Sequence, residues 1–546
     1  MCLNRWGVVC YSFAFLLATV DAMIDVYVVP HSHDDVGWVD TLDVMYDSNR
    51  TGNNTIKNIY DTVTAALAAD KNRRFISVEM YWLHRWWTDE RTTAAQKSSF
   101  ASSVDRGQIE FVTGGWVMHD EAVTHYEADI NQMTLGHEFI SETFGEKHAP
   151  RTAWHIDPFG SVGSNAAIFA KMAFDAFGTN RIPEDIKTRW ANEQSLDFMW
   201  TGTHSDISND KIFTHVMDAY GYCPPNVPRN WAFWDDYNYW LPKGGEPSVT
   251  KTNVHEFAAN ISHWFKVQSA WRRTEKLLWP FGCDLEMHNA TLQFDNMDKI
   301  LAYINAHTEE FGITVQYSTL SEYFKALNKV EGVLWPARGP DDFTFLPLGK
   351  LDSNPPIYNA SLEMKWWSGF FTSRPVLKRA ARSAASELFA VERLMVQASK
   401  GSDMEVTPEL FQFRSAVGIV QHHDALPGTC RPSVMDEYLA DLSKGRSNGG
   451  NLLAEAVKSI MFDEKAPADI VLNTSKAYIR NLLKQGKGAA VVVSNPLGWS
   501  VSRAVELVLA NQSEAKGHFP LACVQVQDAN GALVPSQLVT NMSQSI

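Results

Sequence analysis

Between residue 24 and about residue 335 the chain alternates short β-branched and aromatic runs with longer stretches of helical pattern. This alternation limits the possible folds more than any other feature. Candidate strands are 25–29, 75–78, 109–112, 152–156, 175–177, 196–200, 277–281 and 313–317. Most of the intervals are long enough for a crossover helix, which consecutive parallel strands require. The pattern predicts an α/β domain with a mainly parallel sheet, closed or nearly closed into a βα barrel. A doubly wound open sheet is the alternative. In either arrangement ligands and catalytic groups gather at the carboxyl ends of the strands.

The residues just past those predicted ends carry chemistry. The run HSHDDVGW (31–38) follows the first strand directly. His33 and Asp35 lie two apart, so an extended segment aims both the same way. One imidazole and one carboxylate make half of a zinc site, with His31 and Asp34 as partners that fix tautomer and orientation. AWHIDPFG (153–160) places Asp157 after another strand, before a proline that ends it. WPFGCDLE (279–286) does the same with Asp284, which would serve as a general acid if its surroundings raise its pKa. A lone Asp in such a place otherwise reads as a turn former. QHHDALPGT (421–429) falls in a region of helical pattern, where adjacent histidines point apart, so at most one of them is expected to be a ligand. Two His and two Asp suit zinc or a similar divalent ion.

The rest of the chain bounds this reading. With 48 basic and 63 acidic residues the formal charge is −15, which disfavours nucleic acid or an anionic membrane as partner. The length suggests about three or four domains. Residues 1–22 carry Arg5, an apolar run and a small-residue cleavage pattern, and read as a secretory signal peptide. The run is short of the ~20 residues of a spanning helix, so no membrane association is expected after its removal. Eight glycosylation sequons, at Asn49, Asn53, Asn260, Asn289, Asn359, Asn473, Asn511 and Asn541, agree with a luminal protein. Cys223, Cys283, Cys430 and Cys523 remain after the signal and allow two disulfides in any of three pairings. Domain boundaries are expected at 24–335 for the catalytic α/β domain, 336–465 for a connector and helical bundle, and 466–546 for the start of a β domain. The bundle rests on an apolar stripe of Leu377, Ala381, Ala384, Leu388, Val391 and Met395. Strands are predicted at 489–494, 504–509 and 521–526, too few for a complete sandwich.

HSHDDVGW, GGWVMHDEAVTHYE (114–127), AWHIDPFG, WWSGFFTSRP (366–375), QHHDALPGT and SNPLGW (494–499) together resemble glycoside hydrolase family 38, the class II α-mannosidases. The DDVGW form is similar to lysosomal members. The resemblance implies an irregular, mainly parallel βα barrel of about seven strands, a three-helix bundle and C-terminal β domains. It implies a retaining exo-mannosidase acting on mannose-containing oligosaccharides and glycoproteins in a lysosome or other acidic lumen. Zinc would be bound by His33, Asp35, Asp157 and His423. Asp157 would also be the nucleophile and Asp284 the acid/base. Trp38, Phe159, Arg181, Tyr222 and Asp424 would contact the sugar. Ser161 and Val162, Cys283 and Leu285 depart from the family pattern around the two catalytic aspartates. Family members commonly run to about twice this length, so most of the C-terminal β region is expected to be absent, or supplied by a separate partner. Homo-oligomers are equally compatible. A metal-dependent carbohydrate deacetylase and an inactive mannose-binding homologue are the competing expectations.

Overall fold

The run Ile24–Pro30 forms β1, and six of its seven residues are buried because it lies between two parallel neighbours. The computed structural model describes residues 23–48, 55–203, 210–218, 221–223, 249–348, 365–400, 404 and 406–462, with short pieces between 495 and 533. The expected signal peptide lies outside the described residues. So do the candidate strands 489–494 and 504–509, and 521–526 save for Val526.

After β1 come β2 (Phe75–Ser77), β3 (Ile109–Phe111), β4 (Thr152–His155), β5 (Ala176–Thr179), β6 (Asp197–Thr201), β7 (Lys211–Val216), β8 (Lys276–Phe281) and β9 (Ile313–Tyr317). Ladders give the orders β8-β1-β9, β2-β3 and β6-β7-β5-β4. A bridge from His31 to Ile76 joins β1 to β2, and Thr113 N donates to Thr152 O across 2.8 Å to join β3 to β4. The main chain thus forms one arc, β8-β1-β2-β3-β4-β5-β7-β6.

Side chains from around that arc meet in a single interior cluster. It includes Tyr27, Ile76, Trp154, Phe213 and Leu278, plus Tyr323 from the helix Leu320–Asn328. A second cluster, including Phe169, Phe177, Trp190 and Trp200, packs the β4–β7 sheet against crossover helices. Burying each such ring contributes roughly 1.5–3 kcal/mol. These paired layers make the domain barrel-like, as the alternating pattern predicts.

Within the 24–335 region one strand escaped the sequence pattern. β7 is antiparallel to β6, pairing Asp197 with His215. A hairpin partner needs no crossover helix, so no helical pattern was needed to precede it. This pair places Asp197 in the interior, 2.6 Å from His215 Nδ1 and 3.1 Å from Arg272 Nη1. Arg272 also donates to Val216 O. Removing one partner of a buried ion pair strands the other. Arg272→Leu is therefore expected to lower the unfolding free energy by about 3–5 kcal/mol, read from urea denaturation at neutral pH.

Three helices follow, Pro375–Ala398, Pro408–Ile419 and Pro432–Phe462. Each starts with proline, whose missing N–H costs nothing at a first helical position. Leu377, Ala381, Ala384, Leu388 and Val391 of the predicted stripe are buried, whereas Leu394 rather than Met395 is the buried residue at its end. The chain divides into two compact units, 1–389 with 405–449, and 390–404 with 450–546. Within the first, Gly445 and Gly449 abut Phe413, and Arg446 pairs with Glu387. Every site residue below belongs to this first unit. Among the described residues no helix is long and apolar enough to cross a membrane.

Candidate active site

The segments that follow β1 and β8 stay zipped together beyond the strands. His33 N donates to Cys283 O at 3.0 Å, and Leu285 N donates back to His33 O at 3.0 Å. This brings the HSHDDVGW run beside Asp284. Gly282 makes the approach possible, because a Cβ there would collide with the His31 carbonyl. His33 and Asp35 do face the same way, with Nε2 and Oδ1 3.0 Å apart.

Asp157, just past β4, and His423 complete the cluster. His33 Nε2 lies 3.5 Å from Asp157 Oδ2, and His423 Nε2 lies 3.1 Å from Asp35 Oδ1 and 3.2 Å from Asp157 Oδ2. All four ligand atoms fall within 4.8 Å of one another and all four residues are buried. Donors about 2.1 Å from a tetrahedral ion are about 3.4 Å apart, close to these spacings. His33 Nε2 is buried with no hydrogen-bond partner. The donor set therefore fits a divalent cation. The electrostatics agree. Burial opposes charge on His33 and His423, but Asp35 and Asp157 outweigh it and hold both imidazoles well above their ordinary pKa. A site that binds protons this firmly favours a cation in their place.

The support of these ligands differs from the sequence expectation. The run 421–428 is a turn beyond the helix Pro408–Ile419, so the two histidines are free of helical geometry. Both reach the cluster: His422 Nε2 is 3.2 Å from Asp35 Oδ1. His423 Nδ1 donates to Met118 O at 2.8 Å, which turns Nε2 toward the cluster. Asp120 N donates to Gln421 O, and His119 bridges His422. The motif GGWVMHDEAVTHYE thus has a role that residue types alone did not reveal: it is the backbone splint of His423. Its Glu121 also takes His155 Nδ1 at 2.8 Å, two residues before Asp157. His31 and Asp34 do not fix His33. His31 Nε2 donates to Tyr222 O at 2.9 Å, Asp34 accepts from Ser32 Oγ at 2.6 Å, and His33 Nδ1 has no partner.

The two oxygens of Asp157 are divided. Oδ2 faces the histidines, while Oδ1 accepts from Arg181 Nε at 2.7 Å and lies 3.2 Å from the Tyr222 hydroxyl. That hydroxyl is also 3.0 Å from Asp284 Oδ1. Meeting through one hydroxyl, the two carboxyl oxygens are at most about 6 Å apart. Arg181 was expected only as a sugar contact, and its ion pair to Asp157 is the addition here. Its guanidinium lies 5.7 Å from the Phe159 ring centroid and 5.3 Å from that of Trp367, an aromatic the sequence reading did not assign. Phe159 meets the His423 ring edge-on at 6.1 Å, and Asp424 takes a bond from the Thr429 hydroxyl. Trp38 is partly exposed at the end of the HSHDDVGW turn, where its carbonyl accepts from Arg431 N.

Residues 23–346 match the family model described as the N-terminal domain of glycosyl hydrolases family 38, and residues 365–460 match that of the α-mannosidase middle domain. The chain belongs to glycosyl hydrolase family 38. It is 38% identical over 533 residues to the epididymis-specific alpha-mannosidase of Homo sapiens, covering 94% of this chain and 48% of that protein. The lysosomal alpha-mannosidase of Homo sapiens is 34% identical, with 95% and 48% covered. That of Dictyostelium discoideum is 33% identical, with 95% and 50% covered. The family-38 chain therefore spans about half the length of the curated relatives it matches. An alpha-mannosidase structure from Enterococcus faecalis shares its fold, with a TM-score of 0.55 over 80% of this chain and 42% of the other, at 17% identity.

Proposed function

We propose that this chain is a retaining exo-α-mannosidase that removes terminal mannose from N-linked glycans and oligosaccharides in a lysosomal or similar acidic lumen. The observation that carries this reading is the division of Asp157, one oxygen in the cation cluster and the other beside Asp284. Zinc is the proposed ion, held by His33, Asp35, Asp157 and His423; when bound it would grip mannose hydroxyls and help keep Asp157 ionised.

Asp157 Oδ1 attacks the anomeric carbon while Asp284 protonates the leaving oxygen, giving a glycosyl ester on Asp157. Asp284 then takes a proton from water, which attacks the same carbon and frees the Asp157 carboxylate. A separation of at most about 6 Å between the facing carboxyl oxygens supports this double displacement over a one-step inversion, which needs roughly 6.5–9.5 Å. Phe159 and Trp38 would supply apolar walls for the sugar, and Asp424 would accept from its hydroxyls. Proton NMR of early turnover of an aryl α-mannoside checks the stereochemistry. α-Mannose should form first; β-mannose would overturn retention, and acetate release without glycoside cleavage would favour a deacetylase.

The acid/base assignment carries a pH prediction. Burial, aided by the charges of Asp157 and Asp35, pushes Asp284 up to about 6 against the opposing effect of His33. The first step needs the protonated form, present below that value and lost above it. Activity is therefore expected to fall as pH rises through about 6. A bound cation offsets the neighbouring carboxylates and moves the midpoint down, never up. Asp157 must be ionised. Burial works against that, but Arg181, His33 and His423 hold it well below the ordinary carboxylate range, so it stays charged where Asp284 is protonated. A kcat/KM profile that keeps rising from pH 6 to 8 would contradict the assignment.

A further inference from the structure

The residue after Tyr222 and the residue before Asp284 are joined by a disulfide, Cys223–Cys283, with Cα atoms 4.7 Å apart across a sequence separation of 60. Of the two disulfides expected from the four mature cysteines, this one is formed among the described residues, where Cys430 is a buried free thiol. The bridge makes a covalent link between two adjoining pieces of the site. Tyr222 sits on a short turn, Gly221–Cys223, rather than on a strand or helix, and its ring is nonetheless buried. Its backbone is held at the carbonyl by His31 Nε2 and on its C-terminal side by the bridge. Gly221 has φ +68°, a turn conformation that suits glycine.

The hydroxyl so held stands between Asp157 Oδ1 and Asp284 Oδ1, at 3.2 and 3.0 Å. A phenol has one proton to donate. It donates to one carboxylate, and the other contact closes only when that carboxyl brings a proton of its own. The placement sets the gap between the two groups.

Resting on the mannosidase reading for the roles of the two aspartates, we propose that Tyr222 is the positioning residue of the Asp157–Asp284 pair and that the Cys223–Cys283 bridge holds it there. The bridge then acts on turnover, beyond bracing the fold. Tyr222→Phe is expected to lower kcat by about ten- to a hundredfold with KM changed less than about threefold. The paired variant Cys223→Ser/Cys283→Ser should lower kcat in the same way. Combined with Tyr222→Phe it should add little, because both changes remove one arrangement. A serine pair with wild-type kcat at 25 °C, even with a lowered Tm, overturns the proposal; so do losses that multiply.

A readout independent of turnover separates this from the activity reading. In full-length protein carrying 3-fluorotyrosine, the fluorine resonance missing from Tyr222→Phe belongs to Tyr222. It should shift or broaden in the serine pair, and equally in folded wild type treated with a dithiol if the serine pair does not fold. An unmoved resonance, or recovery of Cys223 and Cys283 as free thiols in non-reducing peptide maps, overturns the proposal whether or not the enzyme is active. A wild type that turns over no mannoside while the resonance moves counts against the mannosidase reading alone.

Discussion

Replacing Asp157 by Asn is expected to lower kcat on an aryl α-mannoside by at least about a thousandfold, because the amide is a far weaker nucleophile. The substitution keeps the shape but removes the charge that Arg181, His33 and His423 all face. Some loss of stability is expected too, so near-UV circular dichroism and Tm must accompany the kinetics. The control that isolates the chemistry is Asp284→Asn. It should be severely impaired on substrates with poor leaving groups, yet still form the glycosyl ester from one whose leaving group needs no proton. Mass spectrometry of the rapidly quenched protein should then find a mannosyl adduct on the peptide that contains Asp157. Equal turnover by wild type and Asp157→Asn would defeat the mechanism.

Chelation is the second large effect. Removing the cation should abolish activity, and zinc should restore it. The accompanying proton count is the sharper measurement. In the cation-free site Asp35 and Asp157 overcome the effect of burial and keep His33 and His423 protonated well above their ordinary range. Only the neutral imidazoles can ligate. Zinc must displace their protons, so titrating it into weakly buffered apo-protein near pH 7 should release about two protons per ion. The sign follows directly: affinity weakens as pH falls, because the competing protons bind more fully. Zinc uptake without proton release would mean that the cation lies elsewhere.

Much of this site was legible in the chain because its residues sit where strand ends can be read. All eight strands predicted between 24 and 335 formed, and three of the four cluster residues, His33, Asp35 and Asp157, follow strands directly. His33 and Asp35 needed only two-residue spacing to be paired. His423 was harder. Its helical pattern ended at Ile419, and the turn that frees both histidines to reach Asp35 carries no periodic signature. β7 was hidden for a similar reason, since antiparallel pairing across a hairpin requires no intervening helix.

The sequence by itself determined the kinds of groups available and the ends of the strands that hold them, since periodicity and residue type are local properties. Only the tertiary structure decided which atoms converge. The splint of His423 by Met118 O, the two faces of Asp157, the Tyr222 hydroxyl between Asp157 and Asp284, and the choice of Cys283 as partner for Cys223 all join segments distant in the chain. Such contacts depend on how layers close in space, on backbone carbonyls that every residue carries, and on directions that no local spacing encodes.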